Sequence, residues 1–245
     1  MSLAAVLLLA VIQGLTEFLP VSSDGHLALA RILIGGGRSG LVLELVLHAG
    51  TLVPLVVLYW GDWWGIAKAP FRRGEEGAKA LRLLGLLVLG TIPAAIAGYF
   101  LKSRIEALYS SSRMVGVGFL MSATALAIGA RASRGAKRDF ESVGVKDALV
   151  VGLVQSLALL PGLSRSGSTV AAGLVRGLAP ASAARLSFLL AVPVIAGACT
   201  LEGYDWVRGK DVAEVGGGSL LIGAAVAAIV GTLGLKACVG LLVKN

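Results

Sequence analysis

The sequence predicts an all-α integral membrane protein: an inverted-topology repeat with two re-entrant helix hairpins meeting near the bilayer midplane, and about five full transmembrane helices. Three observations predict it. The 245 residues are 56% hydrophobic and only 15% charged, with mean hydropathy +0.86, whereas soluble domains carry roughly 25% charged residues. The uncharged runs are continuous rather than alternating, which suits helices that satisfy their own backbone in lipid and not the strands of a barrel. A pattern of short apolar arm, polar knot and short apolar arm occurs twice, at residues 3–34 and 148–178. The chain reads as one polytopic domain, with repeat one about 1–130 and repeat two about 146–245.

Residues 3–16 are apolar, and Glu17, Pro20 and the knot Ser22-Ser23-Asp24-Gly25-His26 follow before a second arm runs to Ile34. Each arm is too short to cross: a helix of the first arm's length spans ~21 Å against a hydrocarbon core of ~30 Å. A hairpin with its polar turn buried in protein fits better. Residues 41–60 can span, and 61–81 form a polar loop with Lys68, Arg72, Arg73 and Lys79. Residues 83–101 span next, bent at Pro93, and 114–130 span again. The loop 131–147 carries Arg131, Arg134, Lys137, Arg138 and Lys146. After the second hairpin, 186–201 and 219–243 are the last spans. A shift of 142 positions lays Gln13 on Gln155, Ser22 on Ser164 and Gly25 on Gly167, the internal repeat behind the two hairpins.

Three full spans separate the hairpins, so they enter from opposite sides. The loops 61–81 and 131–147 hold nine Lys and Arg, against five (Arg38, Lys102, Arg104, Arg208, Lys210) in the opposite loops. That bias places the first face in the cytoplasm and brings the first hairpin in from outside. The net charge of +8 reads as basic loops rather than nucleic-acid binding. Cys199 and Cys238 lie in apolar segments as packing residues, no Cys/His cluster suggests zinc, and Glu202 and Asp205 are expected at a water interface. No Lys or Arg precedes Arg31, so residues 1–30 read as mature protein rather than a cleaved signal.

The chemistry gathers in the knots. Pro161-Gly-Leu-Ser-Arg-Ser-Gly-Ser-Thr169 sets one arginine among hydroxyls and glycines, with no other charge from Ala148 to Val175. An intramembrane arginine is usually functional; the plainer reading is an arginine in an ordinary loop between helices. Hydroxyls from Ser166 to Thr169 can cap a helix start, and a helix N-terminus beside a guanidinium is a phosphate site. Gln13 and Glu17 share one helix face, and Glu17 is the only charge in the first 23 residues. It is a candidate metal ligand or general base, or simply the structural partner of Arg165. Ser22, Ser23, Asp24 and His26 offer an activated hydroxyl or an imidazole acid, base or nucleophile, and any one of them alone would be an ordinary cap.

With the two tips together the inventory suits phosphoryl transfer. Arg165 and two helix N-termini hold phosphate oxygens. Glu17, with Gln13 and Asp24, holds a hard divalent cation, and His26 or a serine does the nucleophilic or acid–base work. A site at membrane depth implies a substrate with a lipid tail. Glu44 and His48, again one helical turn apart, either extend the site or make a polar contact of their own.

The chain resembles the undecaprenyl-diphosphatase family, also called the bacitracin-resistance protein family. Gln13-Gly-Leu-Thr-Glu17-Phe-Leu-Pro-Val-Ser-Ser-Asp-Gly-His26 is similar to the family's (E/Q)xxxE followed by PVSSxGH. Pro161 to Thr169 is similar to PGxSRSGxT, and Leu186-Ser-Phe-Leu-Leu-Ala-Val-Pro193 to the stretch that follows. The resemblance covers nearly the whole chain. It implies a multi-pass phosphatase of the cytoplasmic (inner) membrane. Its substrate is undecaprenyl diphosphate, cut to the monophosphate and inorganic phosphate, with the carrier lipid recycled for cell-wall polymers. It implies a divalent cation, Mg²⁺ or Ca²⁺, and a site facing the extracytoplasmic side. Carried over by position, Gln13 and Glu17 are the metal-associated pair and Asp24 a third candidate ligand. Glu17, Ser23, His26 and Arg165 are catalytic, with Ser23, His26 or a water as attacking group. Ser22, Gly25, Ser164, Arg165, Ser166, Gly167 and Thr169 are phosphate-binding.

Two departures stand out. The family usually has Ser or Thr at Asp24, where a carboxylate either strengthens cation binding, compensating for Gln13, or repels the diphosphate. The family also continues into one more apolar helix beyond the segment 219–243, so a lipid-facing groove or a homodimer surface is expected. The alternative reading is a polyprenyl-phosphate flippase on the same inverted repeat.

Overall fold

The structure, a computed structural model, describes residues 1–34, 41–109, 111–209 and 215–244. Arg38 and Lys210, two of the five basic residues counted on the second face, lie outside the described residues. The described residues are helical: α1 (Leu3–Thr16), α2 (Ser23–Leu33), α3 (Leu41–Leu58), α4 (Trp60–Lys68), α5 (Glu75–Tyr109), α6 (Ser112–Ser133), α7 (Val145–Leu157), α8 (Arg165–Val175), α9 (Pro180–Val207) and α10 (Gly217–Lys244), with two single 3₁₀ turns at Ala69–Phe71 and Phe140–Ser142. Among them α5, α6, α9 and α10 are long and apolar enough to cross a membrane. A fifth span results when α3 and α4, bent by 80° at Tyr59, are counted together.

That bend departs from the expected uninterrupted span 41–60 and polar loop 61–81. The chain turns at Tyr59 and resumes a helix that carries Asp62 in its first turn and Lys68 in its last, charges that suit the two helix ends. The polar segment shrinks to the few residues before Glu75. Pro93 lies inside α5 and Pro193 inside α9, each removing one helical hydrogen bond.

The interior is apolar, with Phe18, Leu47 and Phe188 fully buried, but the outer surface is apolar as well. Large apolar side chains face outward, among them Phe100, Leu120 and Leu221, each at least 70% exposed. Gln13, Glu17, Ser23, Gln155, Ser164, Ser166, Thr169 and Ser187 are buried. Polar side chains that cannot be solvated by lipid turn inward and find one another. α1 packs on α10 and α3, α7 on α5, and α9 on α3 and α8, while α6 lies along α8 and reaches α2.

Close approach needs small residues. A Cβ on Gly152 would stand 2.3 Å from the Gly90 carbonyl oxygen, so α7 lies directly on the α5 backbone. A Cβ on Gly118 would stand 2.1 Å from the Pro161 carbonyl oxygen, which seats the second polar turn on α6.

The start of the second helix pair is fastened by an ion cluster. Asp147, 2% exposed, accepts from Arg138 Nη2 at 2.8 Å, Arg176 Nε at 2.9 Å and the Gly144 N–H at 3.0 Å. Arg138 also donates to the Arg176 carbonyl at 2.8 Å, and its backbone forms a bridge to Leu178. Burial by itself would raise the Asp147 pKa. The guanidinium of Arg138, the Gly144 amide and Arg176 outweigh it and bring the carboxyl from 3.8 down to about 2.

Two outcomes are expected. Gly118→Ala lowers the melting temperature in detergent, by about 1–3 kcal/mol of overpacking, because the atoms it meets are backbone. Asp147 contributes stability above about pH 4 that fades as the pH falls through about 2, a depressed carboxyl being protonated last in the folded state. Asp147→Asn therefore lowers stability at pH 7 by about 2 kcal/mol, and melts run at falling pH show the gap to wild type closing.

Candidate active site

The site is built where the turn between α1 and α2 meets the turn between α7 and α8. Glu17 is the C-cap of α1 and is buried. Arg165 is the first residue of α8, and its Nη2 donates to Glu17 Oε1. Ser166 Oγ donates to the Leu19 carbonyl at 3.0 Å, and a Cβ on Gly167 would lie 3.0 Å from the Pro20 side chain. The two polar knots, so far apart in the chain, are in direct contact.

Glu17 is the hub. Its Oε2 accepts from Ser23 Oγ at 2.6 Å and from Gln13 Nε2 at 3.0 Å. Gln13 and Glu17 thus share a helix face as their spacing requires. Two polar atoms at the hub are buried and have no hydrogen-bond partner: Gln13 Oε1 and Arg165 Nη1. Buried polar atoms are nearly always paired, so these two are the acceptor and donor that the site holds open.

The caps are shifted from expectation. Ser164, not Ser166 to Thr169, caps α8, its Oγ accepting from the Gly167 N–H at 3.1 Å. Ser166 and Thr169 lie inside the helix, and Thr169 Oγ1 is turned to the Arg165 carbonyl and to Ser187 Oγ, both at 2.6 Å. Ser22 caps α2 through the Gly25 N–H, at φ 67°, a left-handed value that a non-glycine residue adopts under constraint. Both caps leave helix N-termini directed at the place where the turns meet.

Ser23 and His26 are not brought together as a hydroxyl–imidazole pair. Ser23 is bonded to Glu17. His26 Nδ1 lies 2.8 Å from the Ser22 carbonyl, which only accepts, so Nδ1 carries a proton and donates to it. The His26 ring packs edge-on against Phe119, centroids 5.2 Å apart. Asp24, expected beside Gln13 and Glu17, instead faces His48 at 3.3 Å and Tyr109 at 3.2 Å. The Glu44–His48 pair divides: Glu44 binds Arg31 at 2.8 Å, and His48 enters the site.

Three contributors escape a reading of motifs. Ser122 on α6 donates to the Gly162 carbonyl at 3.1 Å and accepts from the Ser164 N–H at 2.7 Å, satisfying the turn before Arg165. Phe119, one turn earlier, covers His26 and Gly25. Tyr109 ends α5. The one available signal was Ser122, which with Thr124 is one of two hydroxyls in the apolar span 114–130. Among the described residues, no group of three or more His, Cys, Asp or Glu side chains is spaced to hold a metal ion.

Ser122→Ala is expected to leave the buried Ser164 N–H unpaired and lower stability by about 1–3 kcal/mol. Thermal melts in detergent read this, with Ser122→Thr closer to wild type.

The family model described as bacitracin resistance protein BacA matches residues 6–245. The chain is similar to the undecaprenyl-diphosphatase of Desulforudis audaxviator, 41% identical over 196 residues, covering 80% of this chain and 74% of the relative. It is 35% identical over 236 residues to that of Pelotomaculum thermopropionicum, covering 96% and 86%. It is 36% identical over 250 residues to that of Parabacteroides distasonis, covering 100% and 91%. A chain whose two polar turns close on each other in this way, and which matches the family model almost end to end, belongs to the bacitracin resistance protein BacA family.

Proposed function

We propose that this chain is an integral-membrane phosphatase. It hydrolyses undecaprenyl diphosphate, or a related polyprenyl diphosphate, to the monophosphate and inorganic phosphate, recycling a carrier lipid for cell-wall polymers. The observation that carries the reading is Arg165: held by Glu17 through one terminal nitrogen, it keeps the other, Nη1, buried and unpartnered between the starts of α2 and α8. A guanidinium donor and two helix N-termini suit non-bridging phosphate oxygens and the charge that builds on them during displacement.

Ser23 is the favoured nucleophile, because its hydroxyl already donates to Glu17 Oε2 at 2.6 Å and Glu17 can take that proton. Attack on the terminal phosphorus breaks its bond to the bridging oxygen, and the polyprenyl monophosphate leaves. His26, with Nδ1 tied to the Ser22 carbonyl, is placed to exchange a proton through Nε2 with the leaving phosphate or an incoming water. Water releases phosphate from the serine.

A divalent cation fits the donors. Gln13 Oε1, buried without a partner, and the Glu17 carboxylate are hard oxygens. A cation of the Mg²⁺ type binds through one or two protein ligands plus substrate phosphates, whereas Ca²⁺ asks for more oxygens. Bound there, it would neutralise phosphate charge.

In this reading the α1–α2 and α7–α8 pairs are re-entrant hairpins of an inverted repeat. Their short helices, joined by polar turns that touch, support it, as does the correspondence of Gln13 with Gln155 and Ser22 with Ser164. The basic loops lie in the cytoplasm and the site opens to the extracytoplasmic side of the inner membrane.

The test is phosphate release from farnesyl or undecaprenyl diphosphate by purified protein in detergent, with Mg²⁺, Ca²⁺ or EDTA. Metal-dependent release is expected, and Arg165→Ala lowers kcat by about 10²–10³. Folded wild-type protein that releases no phosphate with any cation overturns the reading.

A further inference from the structure

The 80° bend at Tyr59 gives α4 a surface that the active site does not use. α3 has 18 residues and is ~27 Å long, close to the ~30 Å of a hydrocarbon core. A helix turned so sharply from its end runs along the membrane surface instead of on through it. Its side chains divide accordingly. Trp63 and Ile66 pack against the apolar core, while the exposed rings of Trp60 and Trp64 stack on each other. Lys68 Nζ lies 4.4 Å from the centroid of the Trp64 ring. Tryptophan and a cation with an apolar stem suit the level of lipid headgroups.

Trp63 also lines a groove of about 220 Å³ between α4, α5 and α9. Leu84, Val88, Ile92 and Ala95 of α5 form one wall, a single stripe at helical spacing that runs ~16 Å. Asp62 is joined to Arg185 at 2.5 Å, and Leu190, later in α9, lies against Gly90. Trp63 therefore marks the end of the groove nearer the surface, and Pro193 the deeper end. Two polar groups belong to the lining. Thr91 Oγ1 donates to the Leu87 carbonyl at 2.7 Å. Trp63 Nε1 is buried and has no hydrogen-bond partner, although a buried indole N–H normally finds one.

An occupant of this groove needs a long apolar chain and an acceptor near the surface end. A prenyl chain is hydrocarbon throughout and offers the indole nothing, whereas a fatty acyl ester supplies both. Surface charge then selects the headgroup. Arg72, Lys79 and Arg185 are paired with Glu76, Glu75 and Asp62. That leaves Lys68 and Arg73 as the cations of this segment without a carboxylate partner among the described residues, and such cations attract anionic lipid.

We propose that the groove binds one anionic glycerophospholipid. Its acyl chain lies along α5, an ester carbonyl accepts from Trp63 Nε1, and its headgroup sits beside Lys68 and Arg73.

The experiment titrates purified, delipidated protein in detergent and reads bound lipid by native mass spectrometry. The probes are dioleoyl phosphatidylglycerol, its diether analogue, dioleoyl phosphatidylcholine and geranylgeraniol. Wild type is expected to bind the diester phosphatidylglycerol about fivefold more tightly than the diether, the value of one hydrogen bond. Trp63→Phe loses that difference. The preference of wild type for phosphatidylglycerol over phosphatidylcholine is about tenfold and disappears in Lys68→Gln/Arg73→Gln. Ala95→Phe, which fills the groove, abolishes one-to-one binding. Diester and diether bound alike by wild type, undiminished binding in Ala95→Phe, or displacement of phosphatidylglycerol by geranylgeraniol at equal concentration overturns the proposal. Melting temperatures without lipid show which variants are folded, and if Trp63→Phe is not, the diether comparison on wild type decides.

Discussion

The fold turns on the contact between Arg165 and Glu17. Neither charge can be left alone in a surrounding of apolar helices, since an isolated buried ion costs several kcal/mol. Each lies at the end of a short helix, and those helices are too short to carry their ends out to water. The pair is therefore the condition under which both polar turns can be buried. Ser23, Gln13 and His48 gather on the same carboxylate for the same reason: it is the strongest acceptor within reach.

Burying a turn has a second requirement, because its backbone groups must also be satisfied away from water. The structure meets this from several helices at once. Ser22 and Ser164 cap α2 and α8 from within the knots, and Ser122 holds the Gly162 carbonyl and the Ser164 amide from α6. Gly118 lets α6 approach closely enough to do so. The α6 helix contributes no charge to the site, yet it is the wall against which both turns are set. Arg165 Nη1 and Gln13 Oε1 at the Glu17 hub have no hydrogen-bond partner, and neither do the two side-chain polar atoms of Gln155 on α7.

The cluster of Arg138, Asp147 and Arg176 follows the same rule away from the site. A buried carboxylate at the start of α7 is held by two guanidinium groups and an amide, which ties the loop before α7 to the end of α8. Three of the loop's charges, counted from sequence as a basic face, are thus divided in their roles. Arg138 is structural, while Arg131 and Arg134 carry no such assignment.

The sequence by itself determined the helical class, the apolar spans, the two short helix pairs and the pairing of Gln13 with Glu17, because hydrophobic run length and one-turn spacing are local quantities. It also singled out Arg165 and Glu17, since an isolated charge in a long uncharged stretch needs a partner and few were on offer. Tertiary structure alone decided the break at Tyr59, the cap at Ser164 in place of Ser166 to Thr169, and the separation of Ser23 from His26. It alone drew His48, Tyr109 and Ser122 to the knots. Those choices depend on which side chain of a distant helix fills a gap beside a turn, and an apolar helix with no periodic stripe does not announce the face it will present. Composition set which groups had to be buried; packing settled which of them would meet.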